Sequence, residues 1–222
     1  MNACSIESSS TPSIATALLA ALSLLSVAEA TAEPVNPPPV PDNIRIPAGN
    51  RAFLVGHALG TQNYSCLPAG VDSAGDPRYA WTLFTPQATL FAHNHKEITT
   101  HYFSPNPYEP SPSPLTDGPI RATWQDSKDT SIVWGKVVPG DSSSDSAYVM
   151  AGAIPWLRIT VVGAEEGPTG GDTLKPTTYL HRVNTTGGVA PATGCASLAD
   201  VGKQAFVPYT ADYYFYRKAK GG

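Results

Sequence analysis

The chain has 222 residues, of which 41% are hydrophobic and 14% are charged, and its formal net charge at pH 7 is −4. The apolar content is too high for a disordered chain, and the length fits one ordinary domain. The near-neutral charge argues against a nucleic-acid-binding protein, which would need a basic face, and against electrostatic docking on anionic membranes. The 22 prolines and 19 glycines indicate many loops and turns.

The N-terminus has the features of a removable export signal. Residues 14–28 (IATALLAALSLLSVA) form an apolar run that is short for a transmembrane helix, which needs about 20 residues. The sequence Ala28-Glu29-Ala30 supplies the small residues of a signal-peptidase site, so we expect residues 1–30 to be a signal peptide. The alternative is a buried N-terminal helix. The signal predicts a secreted protein, extracellular or associated with the cell wall, with no membrane span.

The cysteine count agrees with export. Removing the signal removes Cys4 and leaves Cys66 and Cys195, which form an even pair. In an oxidising compartment we expect these two to form a disulfide, and the alternative is two free buried thiols. The sequons at Asn63 and Asn184 are compatible with a secreted glycoprotein, because both fit the N-glycosylation pattern.

The rest of the chain predicts one β-domain at residues 43–217. Residues 31–42 (TAEPVNPPPVPD) hold five prolines, which indicates an extended, polyproline-like lead-in outside the core. Short apolar stretches such as residues 148–150 then alternate with turn residues, and no window sustains helical spacing over three turns. We therefore expect an all-β fold, either an antiparallel β-sandwich or a partly closed β-barrel. Residues 104–119 hold six prolines and predict a long surface loop, and residues 218–222 form a polar tail.

Several segments carry a family resemblance. They are residues 60–66 (GTQNYSC), His101-Tyr102, Thr123-Trp124, residues 179–191 (YLHRVNTTGGVAP) and residues 207–216 (VPYTADYYFY). In this order they resemble the secreted fungal and bacterial family called domain of unknown function 3455, for which no activity is established. Members of that family sometimes carry the label malate dehydrogenase. No Gly-x-Gly-x-x-Gly follows a strand here, so we expect neither a dinucleotide nor another cofactor.

Histidines are the candidates for chemistry. His101 would act as a general acid or base if a carboxylate such as Asp129 or Asp212 lay beside it, and the alternative is a histidine that is hydrogen-bonded within the core. His93 and His95 would point to the same side of a strand and could share a metal ion. The alternative for that pair is a polar turn, and the sequence predicts no complete metal site.

Aromatic and basic residues are the candidates for binding. Trp124 could stack on a sugar if it were exposed, although packing in the core is the default for tryptophan. Arg182 could bind a ligand or neutralise a buried Asp212, and the glycines that follow it at residues 187–188 favour a tight turn. The leading interpretation is a non-enzymatic domain that binds a carbohydrate or a small apolar ligand through Trp124, His101 and Arg182. The alternative is an enzyme of unknown chemistry that uses His101.

Overall fold

The structure is a computed structural model that describes Met1, residues 34–115 and residues 117–219. Apart from Met1, the predicted signal at residues 1–30 lies outside the described residues. The described residues contain nine strands, two 3-10 turns (Asp42–Ile44 and Leu198–Asp200) and no α-helix. The strands are β1 (Asn50–Val71), β2 (Pro77–Phe91), β3 (Glu97–Pro105), β4 (Ile120–Asp126), β5 (Ile132–Lys136), β6 (Ser142–Ser143), β7 (Trp156–Glu165), β8 (Thr177–Gly187) and β9 (Gln204–Lys218).

Eight of the strands close into an antiparallel β-barrel. Their order is β5-β4-β3-β2-β1-β9-β8-β7, and β7 pairs back with β5 to complete the ring. The two-residue strand β6 adds to β7 outside the ring. Closure satisfies the backbone groups that an open sheet would leave unpaired at its two edges. The prediction of an all-β antiparallel domain is therefore confirmed, and the architecture is a closed barrel with one extra strand.

Strand alternation on β9 builds two hydrophobic cores at once. Tyr213 and Phe215 are fully buried inside the barrel, whereas Tyr214 and Tyr216 belong to a cluster on its outer side. Successive side chains of a strand point to opposite faces, so this aromatic run supplies both cores. The interior core also contains Leu90 from β2, and each fully buried side chain of this kind contributes roughly 1.5–3 kcal/mol.

The Pro-rich lead-in covers the outer cluster. Val35 and Val40 pack against that cluster, and Ile44 is completely buried in it. The His181 ring donates from Nε2 to the Ile44 carbonyl at 2.7 Å and accepts at Nδ1 from the Tyr216 hydroxyl at 2.9 Å. The expectation that this stretch lies outside the core is therefore corrected, because outward-facing aromatic side chains of the barrel need an apolar cover.

Two irregular segments behave differently from each other. The stretch at residues 148–150, expected to be a strand, forms a turn in which Val149 is buried against the outer cluster. The Pro-rich segment between β3 and β4 is a loop, as predicted. Asn106 anchors the start of that loop, because its side chain is fully buried and its Nδ2 donates to the Val162 carbonyl at 3.3 Å.

A disulfide joins Cys66 on β1 to Cys195 in the segment between β8 and β9. The two Cα atoms lie 5.5 Å apart, and the predicted pairing is confirmed. The indole N–H of Trp81 supports the same segment by donating to the Thr193 carbonyl at 2.9 Å. The bond therefore ties the long β1–β2 hairpin to the connection that leads into the last strand.

Replacing both Cys66 and Cys195 with serine should lower the free energy of unfolding. The bond spans 129 residues, for which the chain-entropy model gives a loss of about 4–5 kcal/mol. Guanidinium unfolding of the wild type with and without reductant, beside the double variant, measures the effect. The exposed replacement Ser73→Ala is the control and should leave the midpoint unchanged. A wild-type midpoint that reduction does not move would contradict the prediction.

Stability should fall as the medium becomes acidic, in part through His181. Burial lowers the pKa of His181 to about 4 from 6.5, so the fold favours the neutral ring. The unfolded chain takes up the proton first as pH falls, and stability that is present above pH 6.5 is lost between 6.5 and about 4.

The wild type should therefore lose about 2 kcal/mol more than His181→Gln between pH 7 and pH 5. Urea unfolding at the two pH values measures this difference, and the exposed replacement Ser73→Ala, which changes no titratable group, should behave as the wild type does. Equal pH dependence in the wild type and in His181→Gln would disprove the assignment.

Candidate functional site

A cavity of about 240 Å³ lies inside the barrel. Most of its wall is apolar and comes from Leu83, Phe103, Ala122, Val137, Leu157 and Ile159. Val137, which also lines the cavity, is 42% exposed. We call the interior of the barrel at this cavity the lumen.

Small residues on two neighbouring strands leave this space open. Ala122 of β4 and Gly135 of β5 are paired in register, and both line the lumen. A Cβ added at Gly135 would lie 2.5 Å from Cγ2 of Ile159 and 3.2 Å from the Trp124 ring. The glycine therefore allows Trp124 and Ile159 to approach the β5 backbone, and the alanine beside it does not fill the remaining volume.

Arg182 brings a positive charge to the lumen. Its Nε and Nη2 donate to the Pro155 carbonyl at 3.3 and 2.9 Å. No ion pair of the residues that the structure describes involves this guanidinium. The predicted pairing with Asp212 is wrong for a reason of register. Arg182 lies opposite Tyr213 and shares the interior face, whereas Asp212 is one residue away and points outwards.

His101 lines the lumen as a neutral ring. Its Nδ1 lies 2.8 Å from the Thr123 carbonyl, which can only accept, so Nδ1 carries the hydrogen and Nε2 is left as an acceptor. Burial lowers the pKa of His101 to about 3, and the ring stacks on Trp124 with centroids 4.2 Å apart. The carboxylate that acid–base chemistry would need is elsewhere, since Asp129 accepts hydrogen bonds from Ser131 and from the Thr173 backbone.

Two residues that line the lumen each have a buried N–H donor without an acceptor. Nε1 of Trp124 and Nε2 of Gln62 are inaccessible to solvent and make no hydrogen bond. Burial raises the pKa of Tyr209, and the nearby Gln62 side chain lowers it in part. Nε2 of Gln62 nevertheless makes no hydrogen bond. Leaving a buried donor unpaired costs about 1–3 kcal/mol, so such groups are uncommon in a folded protein. Burial also raises the pKa of Tyr213, which keeps its hydroxyl protonated. The residues that line the lumen therefore include unpaired donors as well as the Nε2 acceptor of His101.

A second polar cluster, which sequence reasoning missed, lies on the outside of the barrel. His57 on β1 donates from Nδ1 to Asp212 at 2.6 Å, and its Nε2 is 3.0 Å from Nδ1 of His93. Nδ2 of Asn184 donates to the other Asp212 oxygen at 2.7 Å. No local motif announces this cluster, because the β1–β9 register brings His57 and Asp212 together from distant parts of the sequence.

The predicted metal ligands His93 and His95 lie in the turn between β2 and β3. His95 has a positive φ of 62°, so the strand alternation that would aim both rings at one ion is absent and the polar-turn alternative holds. Both line a surface pocket of about 340 Å³ with His57. Within residues 34–115 and 117–219, no group of three or more His, Cys, Asp or Glu side chains is arranged to hold a metal ion.

The two sequons differ in accessibility. The Asn63 side chain is buried, with 2% of its surface exposed, so the folded protein does not present it to solvent. Asn184 is exposed on β8, with a φ of 51° at the register shift between Val183 and Thr186. Glycosylation at either residue stays a prediction.

Comparison with known proteins gives a family for the chain. The model of the family described as "Protein of unknown function (DUF3455)" matches residues 47–217. No curated protein and no solved structure matches the chain. Across the described ranges, no helix is long and apolar enough to cross a membrane. The family match runs from just before β1 to the penultimate residue of β9 and so covers the whole barrel. The chain therefore belongs to the DUF3455 family.

Proposed function

We propose that this protein is an exported β-barrel that binds a small, largely apolar ligand in its lumen. The observation that carries the proposal is an apolar-walled cavity inside the barrel, lined in part by Arg182, whose guanidinium has no ion-pair partner among the described residues. Ligand sites in proteins are typically concave and mostly apolar, with a few polar groups that fix the orientation of the ligand. An apolar cavity without a polar group would need no occupant, whereas the positive charge of Arg182 at this wall has no counter-ion among the described residues.

The size of the lumen limits the ligand. A cavity of about 240 Å³ has the volume of roughly eight waters, which suits a single-ring compound or a short aliphatic chain. A carbohydrate fits less well, because a sugar needs many polar partners and the wall is mainly apolar. Trp124 has no exposed surface and stacks on His101, so it offers no open face for a sugar ring.

Two features support export to the extracellular space or the cell wall. The Cys66–Cys195 disulfide suits an oxidising compartment, since such bonds are rare where glutathione and thioredoxin keep thiols reduced. The sequence at residues 1–30 has the apolar run and the small cleavage residues of a secretory signal.

Binding is favoured over catalysis by the state of His101. Its lowered pKa keeps the ring neutral, and Nδ1 is committed to the Thr123 carbonyl. A general base is usually oriented and activated by a neighbouring carboxylate, and His101 forms no ion pair within the part of the chain that the structure describes. The ring therefore lacks the carboxylate partner that proton transfer would use, which favours binding over catalysis.

Filling the lumen should abolish binding without unfolding the barrel. We expect Ala122→Phe to weaken the affinity for phenylpropionate by more than about tenfold, equivalent to about 1.4 kcal/mol, because the new ring occupies the space of the ligand. Isothermal titration calorimetry measures the affinity, and near-UV circular dichroism checks the fold.

The matched control is Ala80→Phe, which places the same ring at an exposed position of β2 and should bind as the wild type does. Native mass spectrometry of the protein purified from its own secretion medium gives an independent test. An unliganded protein there, together with equal affinities for the two variants, would contradict a lumen site.

A further inference from the structure

We infer that the ligand of the lumen carries one carboxylate, which sits on Arg182 while its apolar part contacts the wall. The inference rests on the proposed function and names the chemical class of the ligand. It begins from the charge balance of the lumen. Arg182 has five N–H donors, and two of its nitrogens are directed at a single carbonyl, that of Pro155. Among the described residues it has no carboxylate partner within ion-pair distance.

The charge of Arg182 acts across the lumen. Burial is the main cause of the lowered pKa of His101, and the nearby guanidinium lowers that pKa further. The same charge partly offsets the rise that burial gives the pKa of Tyr213 and of Tyr209. A positive charge beside apolar walls interacts more strongly with an anion than it would in water, because the surroundings screen it less.

The other polar groups of the lumen also favour an acceptor on the ligand. Trp124 and Gln62 line the lumen and each have an N–H donor without a partner, whereas the Tyr213 hydroxyl lies 3.4 Å from the Tyr209 hydroxyl. A carboxylate has two oxygens with about four acceptor sites, so it can accept from the guanidinium and from neutral N–H groups together. An alcohol or a hydrocarbon would leave the charge of Arg182 without a counter-ion.

A single carboxylate suits the site better than a phosphate group. The lumen contains one cationic side chain, since His101 is kept neutral by its lowered pKa. One negative charge balances that cation, whereas a phosphate dianion would leave a second charge unpaired in an apolar cavity. The small volume of about 240 Å³ further favours a monocarboxylate with a short chain or one ring.

Matched ligand pairs test the inference on the wild-type protein. The pairs are octanoate with octanol and phenylpropionate with phenylpropanol, in which the apolar part is kept and the charge is removed. We expect each acid to bind more than about tenfold more tightly than its alcohol in calorimetric titrations. Inorganic phosphate and phenyl phosphate form a third arm, and we expect both to bind more weakly than phenylpropionate.

Variants of Arg182 assign the preference to this residue. Arg182→Gln should bring the acid and the alcohol to similar affinity, and Arg182→Lys, which keeps the charge, should retain part of the preference. The control is Arg51→Gln, which removes an exposed arginine of β1 and should leave the preference intact.

The outcomes separate this inference from the function on which it rests. If both members of each pair bind equally to the wild type, or if Arg182→Gln keeps the preference, the carboxylate assignment is overturned while lumen binding stands. Tighter binding of phenyl phosphate than of phenylpropionate also overturns the assignment. If neither member of either pair binds, both the lumen function and the carboxylate assignment fail. The wild-type comparison decides the question even if the Arg182 variants do not fold.

Discussion

The pairing of β5 with β7 determines which side chains meet in this protein. Without those backbone hydrogen bonds the strands would form an open sheet, in which β4 and β8 lie far apart in the order. Closing the sheet turns one of its faces inwards, so Trp124 from β4 and Arg182 from β8 line the same cavity. The chemistry proposed for the lumen is therefore a consequence of ring closure, because no local segment of the sequence contains it.

Closure also leaves apolar side chains on the outer face of the barrel, which other segments must cover. The outer face of the barrel carries two aromatic side chains of β9, Tyr214 and Tyr216. The lead-in and the turn that holds Val149 cover these rings, and the His181 contact to the Ile44 carbonyl holds the cover in place. The described part of the lead-in is thus a structural element of the domain, although its prolines suit an extended chain.

The sequence predicts the parts of the fold that depend on local pattern or on counting. Alternating apolar residues and frequent turns led to an all-β antiparallel domain, and two remaining cysteines led to the Cys66–Cys195 bond. These signals are readable because each lies within a few residues or needs no knowledge of partners. Gly187 and Gly188 adopt positive φ values, but Gly187 ends strand β8 opposite Tyr209 and Gly188 pairs with Ala153. The expected tight turn directly after Arg182 is therefore absent.

The features that the sequence did not predict depend on register. Arg182 and Asp212 have opposite charges, which suggests an ion pair. However, Arg182 pairs with Tyr213, and Asp212 pairs with Val183, so the two charged side chains lie on opposite faces of the β8–β9 pair. The His57–Asp212 contact links residues 155 apart, and neither neighbourhood carries a motif. The unpaired donors of Trp124 and Gln62 likewise become visible only when the inward positions of separate strands are known.

The disulfide has a consequence for how the domain would respond to a protease. The cross-link joins two residues that are 129 apart and closes a covalent loop that contains strands β2 to β8. The Pro-rich segment between β3 and β4 lies within this loop. A single backbone cut in that loop would therefore leave two fragments that remain covalently linked. A nicked molecule would migrate as one species on a non-reducing gel and would separate only after the thiols are freed.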